Sequence, residues 1–193
     1  MSGQVAPKTA KVAKDANVAK DMASNPMRQV RIDKLTLNFG AGKDQKQLDK
    51  GVILLRMITG IEPIKTITQK RIPTWSLRPG LPVGAKVTIR GPAAEDICRR
   101  LLTARDFKLR SSNVDRNGNV SFGLKEYIDI PGVRYDPAIG IIGLECSLTL
   151  VRPGYRVRDR KLRKARINIR HRVSHDDAAA FMGTRFNAVF EEE

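Results

Sequence analysis

The sequence predicts an α+β fold, a mainly antiparallel sheet with helices packed on one face and with extended basic loops. Several short segments alternate apolar and polar residues, which is the period-two pattern of a strand with one buried face. Between them lie segments whose apolar residues recur at helical spacing. The turn signal Asn117-Gly118 is short enough to join antiparallel strands. No internal repeat accompanies these elements, so a single α+β sandwich is expected.

The first elements are predicted just after Asn25-Pro26-Met27, where the proline suits the first turn of a short helix. A strand is predicted over residues 32–39, because apolar and polar residues alternate there. A helix follows and stops at Gly60, and residues 64–67 form a short strand. The apolar stripe of that helix is predicted to consist of Leu48, Val52, Leu55 and Ile58.

The second half of the chain continues the same alternation of elements. A half-buried strand is predicted over residues 83–89, and Gly91-Pro92 opens a helix with acidic residues in its first turn. Strands follow near residues 121–125 and, most clearly, at 144–150. Ser174 stands three residues ahead of Asp177, which predicts the cap of a last helix.

The charge of the chain is concentrated in two blocks. The 193 residues carry a formal net charge of +16. Residues 152–172 contain ten Lys or Arg against one Asp, and residues 65–90 contain six and no acid. Solvated loops without a partner are the alternative, but such blocks repel themselves, so a polyanionic partner is expected. No apolar run is long enough to span a membrane, which favours RNA over a membrane partner.

The first 24 residues differ in composition from the rest. They are rich in Ala, Lys and Val and lack aromatic residues, which predicts a mobile leader at 1–24 and one folded domain at 25–193. A mitochondrial transit peptide is the alternative, which the absence of Arg disfavours. Cys98 and Cys146 lie inside apolar patterns, so buried free thiols in a reducing cytoplasm are expected.

The basic block at residues 65–90 contains a proline-rich loop at residues 68–84, which carries the only tryptophan, Trp75. Its prolines limit the entropy that the loop loses on docking. Trp75 could stack on exposed bases of looped RNA. It could equally anchor the loop to the protein's own core, and the sequence leaves both interpretations open.

The sequence carries no catalytic or metal-binding signature. Residues 80–86 resemble a phosphate loop, but the glycine spacing is one residue short and Val87 stands where Ser or Thr is needed. His171 and His175 lack a third metal ligand, so phosphate contacts or plain surface positions are expected for both. Neither cysteine lies in a CxxC pair or beside a histidine. We therefore expect a protein that is not an enzyme and needs no cofactor or metal.

Five stretches occur together in the order that is typical of one family. They are NPMRQVRIDKLTLNFGAG (25–42), LLRMITGIEPIKT (54–66), the proline-rich loop, VTIRGPAAEDICRRLL (87–102) and FGLKEYIDIPGVRYDPAIGIIGLECSLTLVRPG (122–154). In these stretches the chain closely resembles large-subunit ribosomal protein five in its archaeal and eukaryotic form, the family that binds 5S ribosomal RNA. TGIEP, GVRYDPxIGIxG and VRPG carry the resemblance most specifically. The leader at 1–24 departs from the family pattern.

The resemblance implies a place in the central protuberance of the large subunit of the cytoplasmic ribosome, beside 5S rRNA, large-subunit rRNA and neighbouring central-protuberance proteins. The N-terminal region and the exposed sheet face would bind 5S rRNA through Arg28, Arg31, Lys34, Asn38, Lys65, Thr66, Thr68, Lys86, Thr88 and Arg90. The proline-rich loop would reach the P-site tRNA through Lys70, Arg71, Trp75 and Arg78. A further loop would meet a small-subunit head protein across an intersubunit bridge through Ile130, Pro131, Val133, Arg134 and Asp136.

The basic block at residues 152–172 is assigned to ribosomal RNA by its charge alone. The residues concerned are Arg156, Arg158, Arg160, Lys161, Arg163, Lys164, Arg166, Arg170 and Arg172. Two other classes of protein are alternatives to this interpretation. An RNA-modifying or RNA-cleaving enzyme would need an acidic or histidine cluster on the basic face, which the sequence does not show. A DNA-binding chromatin protein would share the basic stretch but would prefer duplex DNA to 5S rRNA.

Overall fold

The computed structural model describes residues 25–191, and the predicted leader at 1–24 lies outside this range. The described chain divides into a larger unit, residues 32–150 with 173–191, and a smaller unit, residues 25–31 with 151–172. The strands are β1 Arg31–Gly40, β2 Ile64–Ile67, β3 Pro82–Ile89, β4 Lys108–Arg110, β5 Asn119–Leu124, β6 Leu144–Val151 and β7 Val189–Glu191. The α-helices are α1 Gln45–Thr59, α2 Pro92–Thr103, α3 Arg156–Asp159 and α4 His175–Phe186.

A five-stranded sheet in the order β2-β3-β1-β6-β5 forms the centre of the larger unit. β3 runs antiparallel to both β1 and β2, and β5 runs antiparallel to β6. The register pairs Leu37 with Val87 and Phe122 with Cys146, so apolar residues of neighbouring strands share one face. This arrangement confirms the predicted α+β class and each of the strands predicted for the sheet.

The buried face of the sheet is built from the alternating residues of its strands. Leu35 and Leu37 of β1 are fully buried there, and Thr36 between them is only half-buried. Helix α1 packs against β3 and buries an apolar stripe of Leu48, Leu54, Leu55 and Ile58. Val52, which was predicted in this stripe, is only half-buried because it lies at the edge of the buried helical face. Gly51 lies at the centre of that face, where the Phe39 ring leaves no room for a side chain.

The predicted helix ends are confirmed by their capping contacts. Gly60 adopts a left-handed φ of 69° and its N–H donates to the Arg56 carbonyl, which ends α1. At α4, the Ser174 hydroxyl accepts from the Asp177 N–H at 3.2 Å, and the Asp177 carboxylate accepts from the Ser174 N–H at 3.0 Å. This reciprocal pair is the capping box that the Ser174 to Asp177 spacing predicts.

Two short strands were not predicted from the sequence. β4 and β7 form a parallel pair that joins Leu109 to Phe190, residues that lie far apart in the sequence. Each strand has three residues, which is too short for a period-two pattern to stand out. The pair ties the segment after α4 to the segment after α2, and the Val189 N–H donates to the Phe107 carbonyl at 2.9 Å beside it.

The smaller unit contains the basic block at residues 152–172, which is compact and held together by hydrogen bonds between its own residues. It includes the short helix α3 and a 3-10 turn at Ile169–His171, neither of which was predicted. Arg152 is buried, and its Nη1 donates to the Arg172 carbonyl at 3.2 Å. His171 Nε2 lies 2.8 Å from the Pro153 carbonyl oxygen. These contacts join the two ends of the 152–172 segment, so its backbone path is defined by its own residues.

Both cysteines are buried free thiols, as the sequence predicts. Burial raises the pKa of the Cys98 thiol to about 12, and burial also raises the pKa of Cys146. Because the thiolate is the reactive form, we expect little alkylation of either residue by iodoacetamide at pH 8 in the folded protein. Mass spectrometry should detect rapid alkylation of both only after denaturant is added. Rapid alkylation of the native protein would contradict the burial of the two thiols.

Candidate nucleic-acid interface

The second face of the sheet is open and carries polar side chains. The register places Thr36 beside Thr88 and Asn38 beside Lys86, so residues of β1 and β3 form adjacent cross-strand pairs. Strand alternation puts Lys34 on the same face as Thr36. Neither Lys34 nor Lys86 has an ion-pair partner among residues 25–191. The open face therefore offers two uncompensated ammonium groups with hydroxyl and amide groups between them.

The neighbouring carboxylates are held by other side chains. Arg90 Nη1 lies 3.0 Å from Asp33 Oδ1 and 3.4 Å from the Asp33 carbonyl oxygen. Asn38 Nδ2 donates to Glu145 Oε2 at 3.0 Å, which joins β1 to β6. The contact to Glu145 fixes the orientation of the Asn38 amide on the open face. Arg90 was predicted as an RNA contact, and its guanidinium is partly engaged with Asp33.

Toward β6 and β5 the open face carries mainly hydroxyl groups. Ser121 Oγ and Ser147 Oγ lie 3.1 Å apart on paired residues, and a shallow depression of about 370 Å³ runs between these hydroxyls and Thr36. This half of the face carries hydroxyls and the single carboxylate of Glu145 among its lining residues. Hydroxyl groups can donate to and accept from RNA 2′-hydroxyls, which suits a surface that reads RNA shape. The sequence interpretation missed Ser121 and Ser147, although their alternation with apolar residues gives the signal.

Not all predicted RNA contacts in the basic block at residues 65–90 lie on the open face. Lys65 pairs with Ala85, whose side chain is buried on the helix-bearing face, and Lys65 Nζ lies 3.0 Å from Asp49 of α1. Thr66 alternates with Lys65 and pairs with Gly84, so it lies on the other side of β2. Thr68 begins the loop, where its N–H donates to the Leu81 carbonyl at 2.9 Å. The structure therefore groups Lys34, Asn38, Thr66, Lys86 and Thr88 on the open face, and places Lys65 on the other side of the sheet.

The proline-rich loop is ordered by its own backbone. Ile72 and Leu77 exchange two hydrogen bonds of 3.0 Å around a 3-10 turn at Pro73–Trp75. Leu77 is 7% exposed whereas Trp75 is 66% exposed. The anchor of the loop is therefore Leu77, and the indole of Trp75 stands in solvent at the tip of the turn. Lys70, Arg71 and Arg78 are also exposed along this loop.

The loop between β5 and β6 is built around a buried tyrosine. Tyr127 is fully buried, and its hydroxyl accepts from the Asp136 N–H at 3.1 Å. Ile130 is 1% exposed, so its side chain packs inside the protein and is not available to a partner. Arg100 of α2 donates from Nε to the Pro131 carbonyl at 3.0 Å. The exposed part of this loop includes Pro131, Arg134 and, unpredicted, Tyr135, with Val133 and Asp136 half-buried.

The basic segment of the smaller unit presents most of its charge to solvent. Arg158 lies over the Tyr155 ring and pairs with Asp159, and Arg160 Nε donates to the Arg163 carbonyl at 2.8 Å. The remaining predicted cations are exposed, and within residues 25–191 their side chains have no hydrogen-bond or ion-pair partner: Arg156, Lys161, Arg163, Lys164, Arg166, Arg170 and Arg172. Arg28, half-buried, and Arg31, exposed, belong to the same unit. Seven uncompensated cations on a short defined backbone suit contacts with phosphates.

Both histidines contact polar groups of the protein itself. His175 Nε2 lies 3.3 Å from Ser111 Oγ and 3.2 Å from the Ser111 carbonyl oxygen, so it joins the start of α4 to a 3-10 turn. His171 contacts Pro153 as described above. In the described part of the chain no three His, Cys, Asp or Glu residues lie together as a metal site would require. No helix within residues 25–191 is long and apolar enough to cross a membrane.

Comparison with known proteins identifies the family. The sequence model described as "Ribosomal protein L5" matches residues 25–78, and the model of the C-terminus of the same ribosomal family matches residues 82–186. The chain belongs to the ribosomal protein L5 family. It is therefore a structural ribosomal protein and not an enzyme, as the sequence predicts.

Archaeal relatives extend the match over nearly the whole chain. The protein named "Large ribosomal subunit protein uL5" of Sulfurisphaera tokodaii is 43% identical over 91% of this chain and 99% of its own length. The protein of the same name from Sulfolobus acidocaldarius is 45% identical over 87% of this chain and 94% of its own. That of Nanoarchaeum equitans is 47% identical over 79% and 90%. The residues matched to the family thus include those of the open sheet face, the proline-rich loop and the basic segment.

Proposed function

We propose that this L5-family chain is a structural component of the large subunit of the cytoplasmic ribosome and binds 5S rRNA through the open face of its sheet. The observation that carries the proposal is the uncompensated pair Lys34 and Lys86, with Thr36, Thr88 and the oriented amide of Asn38 beside them. The ammonium groups neutralise phosphates, and release of the counterions they displace favours binding. The hydroxyl and amide groups contact sugar hydroxyls and base edges, which adds dependence on RNA shape.

The remaining exposed elements extend this contact to other parts of the ribosome. The basic segment of residues 156–172 binds large-subunit rRNA through its seven uncompensated cations. The proline-rich loop reaches the P-site tRNA with Trp75 at its tip and with Lys70, Arg71 and Arg78 along its length. The loop around Pro131 and Arg134 meets a small-subunit head protein, and other surfaces meet neighbouring proteins of the central protuberance. The exposure of these side chains supports each assignment.

The sheet-face contact is tested by replacing its two lysines. We expect the double variant Lys34→Ala/Lys86→Ala to bind 5S rRNA about tenfold or more weakly at about 150 mM salt, because two phosphate contacts are lost. The slope of log K against log salt should become shallower by about 1.5. Filter binding over a salt series measures both quantities.

A matched control is Lys46→Ala/Lys50→Ala, which removes the same charge from helix α1, on the opposite side of the sheet from the open face. This control should bind with an affinity and a salt slope close to those of the wild-type protein. If both double variants change the slope equally, the sheet face has no special part in 5S rRNA binding, and this assignment is wrong.

A further inference from the structure

The basic segment of the smaller unit also carries the most exposed large apolar side chains of the described protein. Leu162 is 76% exposed and Ile169 is 80% exposed, more than any other large apolar residue within 25–191. A single exposed apolar residue is ordinary on a protein surface. Here, however, Leu162 lies in the middle of the densest run of positive charge in the chain, between Lys161 and Arg163.

The backbone around Leu162 forms a turn that is fixed by hydrogen bonds. Arg160 Nε donates to the Arg163 carbonyl at 2.8 Å, which bridges the two sides of Leu162. Arg163 has a left-handed φ of 51°, a conformation that reverses the chain direction sharply. The Ala165 N–H then donates to the Val157 carbonyl at 3.2 Å and closes the turn on α3. Leu162 is therefore presented outward on a defined backbone.

The side chains beside Leu162 define the chemistry that the turn accepts. Lys161, Arg163, Lys164 and Arg166 are all exposed, and none has a hydrogen-bond or ion-pair partner for its side chain in the part of the chain that the structure describes. A partner that covered Leu162 would approach these four charges at the same time. It must therefore present an apolar surface and several negative charges within a few ångströms of one another.

An RNA nucleotide that has left its stack has both properties. Its phosphates carry the negative charge, and the faces of its base are apolar surfaces on which side chains pack. In a continuous RNA duplex the base faces are covered by their neighbours, so the leucine would find only sugar and phosphate. Apolar side chains that pack against or between bases are an established means of recognising distorted nucleic acid.

We infer that the turn at residues 160–166 is a binding site for an unstacked nucleotide of structured RNA, such as a bulge. Leu162 packs on the exposed base, and Lys161, Arg163, Lys164 and Arg166 neutralise the flanking phosphates. This inference rests on the proposed function, since it refines how the basic segment recognises rRNA. In this inference the apolar contact of Leu162 provides selectivity for an unpaired nucleotide, and the four cations provide affinity.

The test uses the full chain and two short RNA hairpins that differ by one bulged nucleotide in the stem. Affinities are measured by mobility shift over a salt series. We expect the wild-type protein to bind the bulged hairpin about tenfold more tightly than the uninterrupted one. Leu162→Ala should reduce this preference to about twofold or less and leave the salt slope unchanged, because no charge is removed. Leu162→Met, which keeps an apolar side chain, should retain the preference.

The control is Ile53→Ala, an exposed apolar residue on α1 outside the basic segment, which should bind like the wild type. Equal binding of both hairpins by the wild type, or an undiminished preference in Leu162→Ala, overturns the inference. Parallel titrations with 5S rRNA keep the two proposals separate. A chain that selects 5S rRNA but ignores the bulge contradicts only this inference, and the reverse result contradicts only the assignment of 5S rRNA.

Discussion

Replacing Lys161, Arg163, Lys164 and Arg166 together by glutamine is expected to weaken binding to large-subunit rRNA by about 100-fold or more at about 150 mM salt. The four side chains are exposed, and their cations make no contact within residues 25–191 that would offset them. Each phosphate contact contributes about 0.7–0.9 to the slope of log K against log salt, so the slope should fall by about 3. Glutamine keeps most of the side-chain length, so the loss reports charge.

The matched control carries glutamine at Lys43, Lys46, Arg116 and Lys125, four exposed cations outside the basic segment. Both variants have the same net charge, which separates a local contact from the overall attraction of a basic protein for RNA. Filter binding with transcribed large-subunit rRNA measures both slopes, and thermal unfolding checks that neither variant is destabilised. Equal losses in the two variants would mean that the basic segment is not a preferred contact.

The second large effect concerns the packing of α1 on the sheet. We expect Gly51→Ala to lower the free energy of unfolding by about 2–3 kcal/mol, because a Cβ at this position would overlap the Phe39 ring. Phe39 is buried and contributes to the core from β1, so it cannot move aside without loss of other contacts. For a chain of this size the loss corresponds to a Tm lower by about 4–12 °C.

Thermal unfolding followed by circular dichroism measures this effect. Gly40→Ala is the control, since a Cβ at Gly40 meets no atom and its φ is not left-handed. Adding Phe39→Leu to Gly51→Ala should recover part of the stability, because the smaller side chain leaves room for the methyl group. An unchanged Tm in Gly51→Ala would show that α1 does not approach β1 as closely as described.

Local patterns in the sequence were sufficient for the elements that build the sheet. The alternation around Leu35 and Leu37 encodes both the strand and the face that it buries, because side chains of a strand point to opposite sides in turn. The spacing of Ser174 and Asp177 encodes the cap of α4 for a similar reason, since both hydrogen bonds form within one turn. These features depend only on neighbouring residues and could be recognised without knowledge of the rest of the fold.

Features that depend on distant residues could not be predicted in this way. The pairing of β4 with β7 joins segments that only the complete fold brings together. Arg152 is buried and holds the ends of its segment, whereas the arginines that follow it are exposed, although all are alike in sequence. In the proline-rich loop, the fold selects Leu77 as the anchor and leaves Trp75 exposed. Residue type alone could not separate a side chain that is exposed to solvent from one that makes a structural contact in either case.

The structure brings only some of the predicted contact residues together on one face of the sheet. Strand alternation alone could have separated Lys65 from Thr66, because adjacent residues of a strand cannot share a face. The same rule would have added Ser121 and Ser147 to the open face. The burial of Ile130 depends on the packing around Tyr127, which no local pattern reveals. Charge and resemblance therefore selected segments, while the grouping of individual side chains on one face required the register of the sheet.

The central claim is that this protein recognises 5S rRNA and is not merely a polycation. It is tested most directly by a mobility-shift titration with 5S rRNA at about 150 mM salt, with transfer RNA and duplex DNA as competitors, because this ionic strength suppresses much of the non-specific attraction. The account predicts tight binding to 5S rRNA that neither competitor displaces at equal concentration. Equal and weak binding to all three nucleic acids would contradict it.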